Sequence, residues 1–400
     1  IPISIAPYSQ GHPSIAFDGT NYFAVWADKR NGDWDIYGVR IDPNGIILDT
    51  AGIPISTAPN SQYSPSVAFD GVNYFVVWQD ARDGDWDIYG ARVSPNGVVL
   101  DTIGIPISTT QCEEGSPSIA FGGLNYLVVW TDARSGNSNI YGARVSPNGV
   151  VLDTAGIPIS TAINDQFSPS LSFDGINYFV VWTDQCNDSG YSDVYGARVT
   201  PSGVVLDTAG IPISTEIYSQ YSPSIAFDGT NYFVVWIDCR NDISDVYGAR
   251  ITPSGVVLDS LGIPISTASN WQYSPSIGFD GTNYLVVWED ERGEYLNYYE
   301  KDNIYGARVT PSGIVLDPSG ILLTTAVYWQ YSPSIAFDGT NYFVVWQDYR
   351  NGYSNIYGAR ISSAGVVLDT TGIPISTASH WQFSPSIAFD GTNYFVVWQD

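Results

Sequence analysis

The chain has 400 residues, of which 44% are hydrophobic and 14% aromatic, with 13 Trp and 28 Tyr. That content excludes a disordered chain and is enough to bury a large core. The 41 acids against 15 bases leave a formal net charge of −26, which excludes nucleic acid and anionic membrane as partners and suits cations, neutral glycans or solubility in saline external fluid.

The first residues, Ile1-Pro2-Ile3-Ser4, match Ile53-Pro54-Ile55-Ser56 and so already belong to a repeat. The unit is clearest over Ser64–Ser108. Ser-Pro-Ser-Val-Ala-Phe (64–69) reads as a short strand and Asp70-Gly71-Val72-Asn73 as a turn. Tyr74–Trp78 is aromatic and β-branched on both faces, which implies a strand covered from both sides. A polar loop over Asp80–Asp87 leads to a third strand, Ile88–Val93, whose Gly90 and Ala91 allow close packing. Ser94-Pro95-Asn96-Gly97 is a β-turn. Val98–Leu100 with Ile105–Ser108 makes a fourth strand, kinked by Asp101–Gly104. Nothing carries helical periodicity, and no apolar run approaches the roughly 18 residues of a spanning helix.

The phrase Phe-Asp-Gly-Thr-Asn-Tyr-Phe-Val-Val-Trp-Gln stands verbatim at Phe337–Gln347 and Phe389–Gln399, with variants at Phe17, Phe69, Phe121, Phe173, Phe227 and Phe279. The closing Trp falls at 26, 78, 130, 182, 236, 288, 346 and 398, a period of about 50 that marks a solenoid, propeller or array. Four antiparallel strands per unit, one of them buried on both faces, is the pattern of a β-propeller blade. The expected fold is therefore all-β, a single propeller domain over residues 1–400. There are eight hairpins that begin a unit, but only seven Ile/Val-Tyr-Gly-x-Arg strands (at 36, 88, 140, 194, 246, 304 and 356). Eight four-stranded blades are expected, the last incomplete or closed by Ile1–Ser4. Seven is the alternative, and it would leave Phe389–Trp398 as an orphan apolar hairpin.

The Phe-Asp-Gly-x-Asn-Tyr, Val-Val-Trp and Ile-Tyr-Gly-Ala-Arg phrases resemble the repeats of secreted bacterial and archaeal β-propeller proteins, at a length close to kelch repeats. The resemblance spans the whole chain. It implies the fold and carries no agreed activity or catalytic residue. With the acidity, the Asn/Ser/Thr/Tyr richness and the lack of any Met, which marks a processed or excised piece, it makes a secreted or cell-surface location the expectation.

All 13 arginines obey the repeat. Seven end the Tyr-Gly-x-Arg strands (40, 92, 144, 198, 250, 308 and 360), and six lie four residues after the blade Trp (30, 82, 134, 240, 292 and 350). The first series is expected to pair with the Phe-Asp-Gly carboxylates across a shared turn face. No arginine is left over for catalysis. His12 and His380 lie near the starts of two different first strands, and no Gly-x-Ser-x-Gly elbow, metal-type His pair, Cys-x-x-Cys or phosphate loop is present. Paired carboxylates for glycoside hydrolysis need only a spatial separation. The acids that break the repeat are Glu113, Glu114, Glu289, Glu291 and Glu294.

The face opposite the Asp-Gly turns holds the candidate ligand site. Gln recurs before the first strand of every unit but the third, which carries Glu114, and Gln272, Gln330 and Gln382 are preceded by Trp271, Trp329 and Trp381, where earlier units carry Ser, Glu or Asp. Indole on a wet loop suits stacking on sugar. The competing reading is that each Trp caps an apolar gap between blades and each Gln ties its own loop. Trp34 and Trp86 add aromatics to the same face. Asp83, Asp85 and Asp87, at alternate positions, are a candidate Ca²⁺ set, without EF-hand spacing. Cys186 and Cys239 occupy corresponding loops of adjacent units and are a candidate disulfide, leaving Cys112 odd. The function expected is a non-enzymatic extracellular binding or adhesion propeller for a neutral glycan or surface protein. The alternatives are a structural subunit that self-assembles through its incomplete last blade and, third, a glycoside hydrolase.

Overall fold

The computed structural model describes all residues except 1–2, 5–7, 186–189, 293–301, 327, 378–380 and 400. Among the described residues every regular element is a strand, and they form seven four-stranded antiparallel sheets and one two-stranded sheet. This is the all-β architecture of a β-propeller repeat protein. Seven blades, not eight, have four strands; the eighth hairpin, Phe383–Phe389 with Tyr394–Gln399, stands as the two-stranded sheet. The expected closure by Ile1–Ser4 is not seen among the described residues. Ile3 and Ser4 carry no strand, and the Ser4 hydroxyl accepts a hydrogen bond from Arg30 at 3.2 Å.

The chain divides into two compact units, one comprising 1–186, 196–211 and 399, the other 187–195, 212–398 and 400. Each is a run of successive blades built alike. In the first blade Gln10–Phe17, Tyr22–Asp28, Asp35–Ile41 and Ile53–Ser56 pair in chain order. The second strand is buried along its whole length, as its two-faced apolar sequence requires. The first strand of most blades carries a bulge at Ser-Pro, for instance between Tyr63 and Ser66. Proline has no N–H for the ladder, and the preceding Ser64 takes a positive φ of 49°.

Three devices recur. In the Phe-Asp-Gly turn the Asp18 carboxylate accepts the amides of Thr20 and Asn21, both at 2.7 Å. In most repeats the Tyr at the start of the second strand donates to the preceding blade, as Tyr74 does to the Asn21 carbonyl at 2.9 Å and Tyr342 to that of Asn283 at 2.6 Å. The Trp-x-Asp-x-Arg phrase closes a buried network. Trp78 Nε1 donates to Asp80 at 2.7 Å, Arg82 pairs with the same carboxylate at 2.5 Å, and its guanidinium lies 3.9 Å from the Tyr89 ring centre. Arg82 also donates to the Ser56 hydroxyl of the preceding blade, at 3.5 Å.

The first arginine series pairs elsewhere than expected. Arg40 grips Asp49, nine residues on, with Nε and Nη2 at 2.9 and 2.8 Å. Arg250 does the same with Asp259, both contacts at 2.8 Å. The fourth strand folds back on the third at Leu-Asp, which puts this carboxylate beside the arginine, while the Phe-Asp-Gly carboxylate is used within its own turn.

Candidate functional site

An exposed aromatic surface lies in the second unit, on the loops of the seventh and eighth repeats. Trp329, Tyr331, Tyr349, Tyr353, Trp381 and Phe383 form one continuous cluster. Tyr349 meets Trp329 and Trp381 edge-on, at ring distances of 6.0 and 5.7 Å. Tyr331 packs on Tyr349 at 5.7 Å, Tyr353 on Trp381 at 6.5 Å, and Phe383 stacks under Trp381 at 6.1 Å. The outer rings face water, Trp381 and Tyr353 being each 50% exposed. Main-chain bonds fix the platform, since the Tyr349 amide donates to the Trp329 carbonyl at 3.0 Å and that of Gln382 to Ser354 at 2.9 Å. Trp271, 42% exposed, stacks on Tyr273 at 6.3 Å.

Tyr349 and Tyr353 were not among the sequence candidates. Tyr349 stands where other units carry Lys29, Ala81, Ala133, Gln185, Cys239 and Glu291, so it breaks the repeat as Trp329 does. That departure was the available signal.

The other candidates sit deeper. Gln272, Gln330 and Gln382 are fully buried. The Gln272 amide donates to the Ala268 and Asn270 carbonyls at 3.2 and 2.6 Å, and the Gln330 amide to Tyr328 at 3.1 Å, so the side chains of Gln272 and Gln330 hold their own loops. Trp34 is half-buried edge-on against Tyr63 at 5.2 Å, and Trp86 is half-buried too. Asp83 and Asp85 are exposed and Asp87 is buried. Burial, then the charges of Asp83, Asp80 and Asp85, push the Asp87 carboxyl up to about 6. Among the described residues no group of three or more His, Cys, Asp or Glu is arranged to hold a metal ion, which leaves the Ca²⁺ set without a cage. Cys239 is a free thiol, as is Cys112. Cys186 lies outside the described residues, so the proposed bridge finds no support.

Of the off-pattern acids, Glu294 lies outside the described residues, as does His380. Glu113 is exposed. Glu114 replaces the loop Gln of the third unit and is buried, accepting from the Ser108 and Thr110 hydroxyls at 2.6 and 2.8 Å. Burial pushes its carboxyl above the usual range and Asp132 adds to the effect. Glu289 is buried and accepts the Ser332 amide of the next blade at 2.7 Å, with its carboxyl raised by burial. Gln347 makes the same link to the Ser384 amide, at 3.2 Å, so this position joins blades in either chemistry. His12 is packed 4.2 Å from the Tyr63 ring, and burial lowers its pKa.

No protein-family model and no curated protein sequence matches the chain. Solved structures do. A thermostable family-43 glycoside hydrolase is similar at 15% identity over 67% of this chain and 95% of that one, with a TM-score of 0.38. The native arabinanase of Bacillus subtilis is similar at 14% over 62% and 96%, TM-score 0.34. An endo-arabinase of Bacteroides thetaiotaomicron is similar at 12% over 62% and 96%, TM-score 0.36.

These findings correct the expectation of a non-enzymatic adhesion propeller, because the proteins this chain is similar to are a family-43 glycoside hydrolase, an arabinanase and an endo-arabinase. The physical reason is that glycoside hydrolysis asks for two carboxylates separated in space, which leaves no linear motif whose absence could exclude it. At these scores the likeness carries no residue, substrate or mechanism to this chain.

Proposed function

We propose that this protein engages neutral polysaccharide chains across the aromatic platform of its seventh and eighth repeats. The observation that supports the reading is the six-ring cluster around Tyr349 and Trp381, whose Trp329, Tyr349, Tyr353 and Trp381 all depart from the repeat. Residues the framework does not require, held rigid and half in water, are a surface for ligand. Aromatic faces pack on apolar sugar C–H faces with little loss of side-chain freedom. A net charge of −26 disfavours sulfated or phosphorylated chains.

The test uses the intact protein against immobilised neutral and sulfated polysaccharides, with reducing-end release followed in parallel so that a ligand and a substrate are told apart. Trp381→Ala and Tyr353→Ala should each weaken retention on a neutral polysaccharide about tenfold or more, since ~1.4 kcal/mol is a factor of ten, with the thermal midpoint nearly unchanged. Unaltered retention by both variants, or preference for the sulfated chains, would overturn the reading.

A further inference from the structure

The aromatic platform continues into the sixth repeat. Trp271 stands at the repeat position of Trp329 and Trp381, and its carbonyl accepts the Glu291 amide at 3.0 Å as the Trp329 carbonyl accepts that of Tyr349. The loops are built alike and carry their indoles on the same face of the second unit. Trp271 is 42% exposed and lies on Tyr273 with the two rings 11° from parallel. The first, second and fifth repeats have Ser9, Ser61 and Ser219 at this position, so the frame does not require the ring.

What lies between Trp271 and the platform also departs from the repeat. Asp302 takes the place of Ser138, Ser192, Ser244 and Ser354. Its carboxylate accepts from the Tyr331 hydroxyl, and its charge acts on Tyr273. Tyr331 in turn packs on Tyr349, and Tyr349 on Trp381, each at 5.7 Å. Trp271, Tyr273, Asp302, Tyr331, Tyr349 and Trp381 therefore make one row over three consecutive repeats. Stacked sheets lie about 10 Å apart, so a row that crosses two gaps between blades extends on the order of 20 Å. A mono- or disaccharide cannot cover it.

We propose that Trp271 and Tyr273 form a second subsite, and that the ligand is an internal stretch of a linear neutral glycan laid from Trp271 to Trp381 across the sixth to eighth repeats. This subsite rests on the glycan reading of the platform and adds the length and course of the chain. Indole and phenol faces at the two ends pack on sugar C–H surfaces. The acids in the middle, Glu291 and Asp302, disfavour an anionic chain there. Once one end is engaged, contact at the other is intramolecular, so affinity grows with chain length until both ends are filled.

The experiment is calorimetric titration of the intact protein with size-fractionated oligosaccharides, from disaccharide upward, cut from soluble glucan, mannan, xylan, arabinan and galactan. Chitosan oligomers serve as the cationic comparison. Affinity should step up by about tenfold or more once the chain reaches both ends of the row. Trp271→Ser should remove that step and leave the binding of short oligomers and the thermal midpoint unchanged, whereas Trp381→Ala should weaken short and long oligomers alike. Affinity that does not grow with length, or a step that survives Trp271→Ser, overturns the second subsite and leaves the platform reading standing. A step lost only together with a fall in thermal midpoint returns Trp271 to the framework and overturns it as well, as does preference for the chitosan oligomers. Binding of no oligomer, or no effect of Trp381→Ala, overturns the platform and the subsite together.

Discussion

The Arg-carboxylate pairs show how a repeat that is easy to see in sequence can still hide its partners. The Tyr-Gly-x-Arg series and two Asp series all recur once per blade, so spacing alone cannot say which acid each Arg meets. Fold-back of the fourth strand decides it, and the partner is the Leu-Asp carboxylate. The third unit makes this testable, because Gly122 replaces its turn Asp while Arg144 still holds Asp153 at 2.8 Å. Arg144→Lys and Arg250→Lys should therefore cost the same, about 1–2 kcal/mol each for loss of a charge-assisted fork. Unequal denaturant midpoints would restore a role for the turn Asp. Gly122 has its own account. The Tyr178 hydroxyl of the next blade fills the place a side chain would take, donating to the Asn125 carbonyl at 2.5 Å.

Strand by strand, the sequence carried much of the fold and little of the site. Tyr74–Trp78 announced burial on both faces, and Gly90 with Ala91 announced close packing; both are as observed. The kinked fourth strand was legible as a kink but not as the element that brings Asp101 to Arg92. The platform was half legible. Trp329 and Trp381 stood out as departures from the pattern, yet Tyr349 is gathered between them only by tertiary packing. The glycines offer a test at the same scale. Gly248→Ala drives a methyl into the Phe233 ring and should cost about 1–3 kcal/mol as overpacking. Gly278 stands where six other units have Ala and one has Ser172, and a Cβ there would meet nothing closer than 3.5 Å. Gly278→Ala should leave stability unchanged or raise it by about 0.4–1 kcal/mol through the unfolded chain. A denaturant titration in which both variants fall equally would mean that the contact with Phe233 is not what selects glycine.

For the molecule as a whole, the two classes of carboxylate pull stability in opposite directions with pH. Hydrogen bonds from Arg360 hold Asp369 below the usual range; Asp101, Asp153, Asp207, Asp259 and Asp317 are also lowered, their burial outweighed by the paired arginines. Such groups stabilise the fold above the unfolded value of 3.8, and that stabilisation is lost as pH falls through their folded values. Asp87 and Asp245 do the reverse. Burial raises each to about 6, so between pH 6 and 3.8 the folded state binds more protons than the unfolded one, and stability rises as pH falls through that window. The thermal midpoint should therefore climb from about pH 7.5 to a maximum near pH 5 and drop below about pH 4. The repeat supplies the control, because Asn139, Asn303 and Asn355 already stand at the positions of Asp87 and Asp245. In the double variant Asp87→Asn, Asp245→Asn the midpoint at pH 7.5 should rise and the climb towards pH 5 should flatten, while the acid limb stays in place because the arginine pairs remain. A climb of the same steepness in the variant would assign it to the other carboxyls that burial raises, Asp35, Glu114 and Glu289, or to relief of the −26 net charge, and not to these two buried carboxyls.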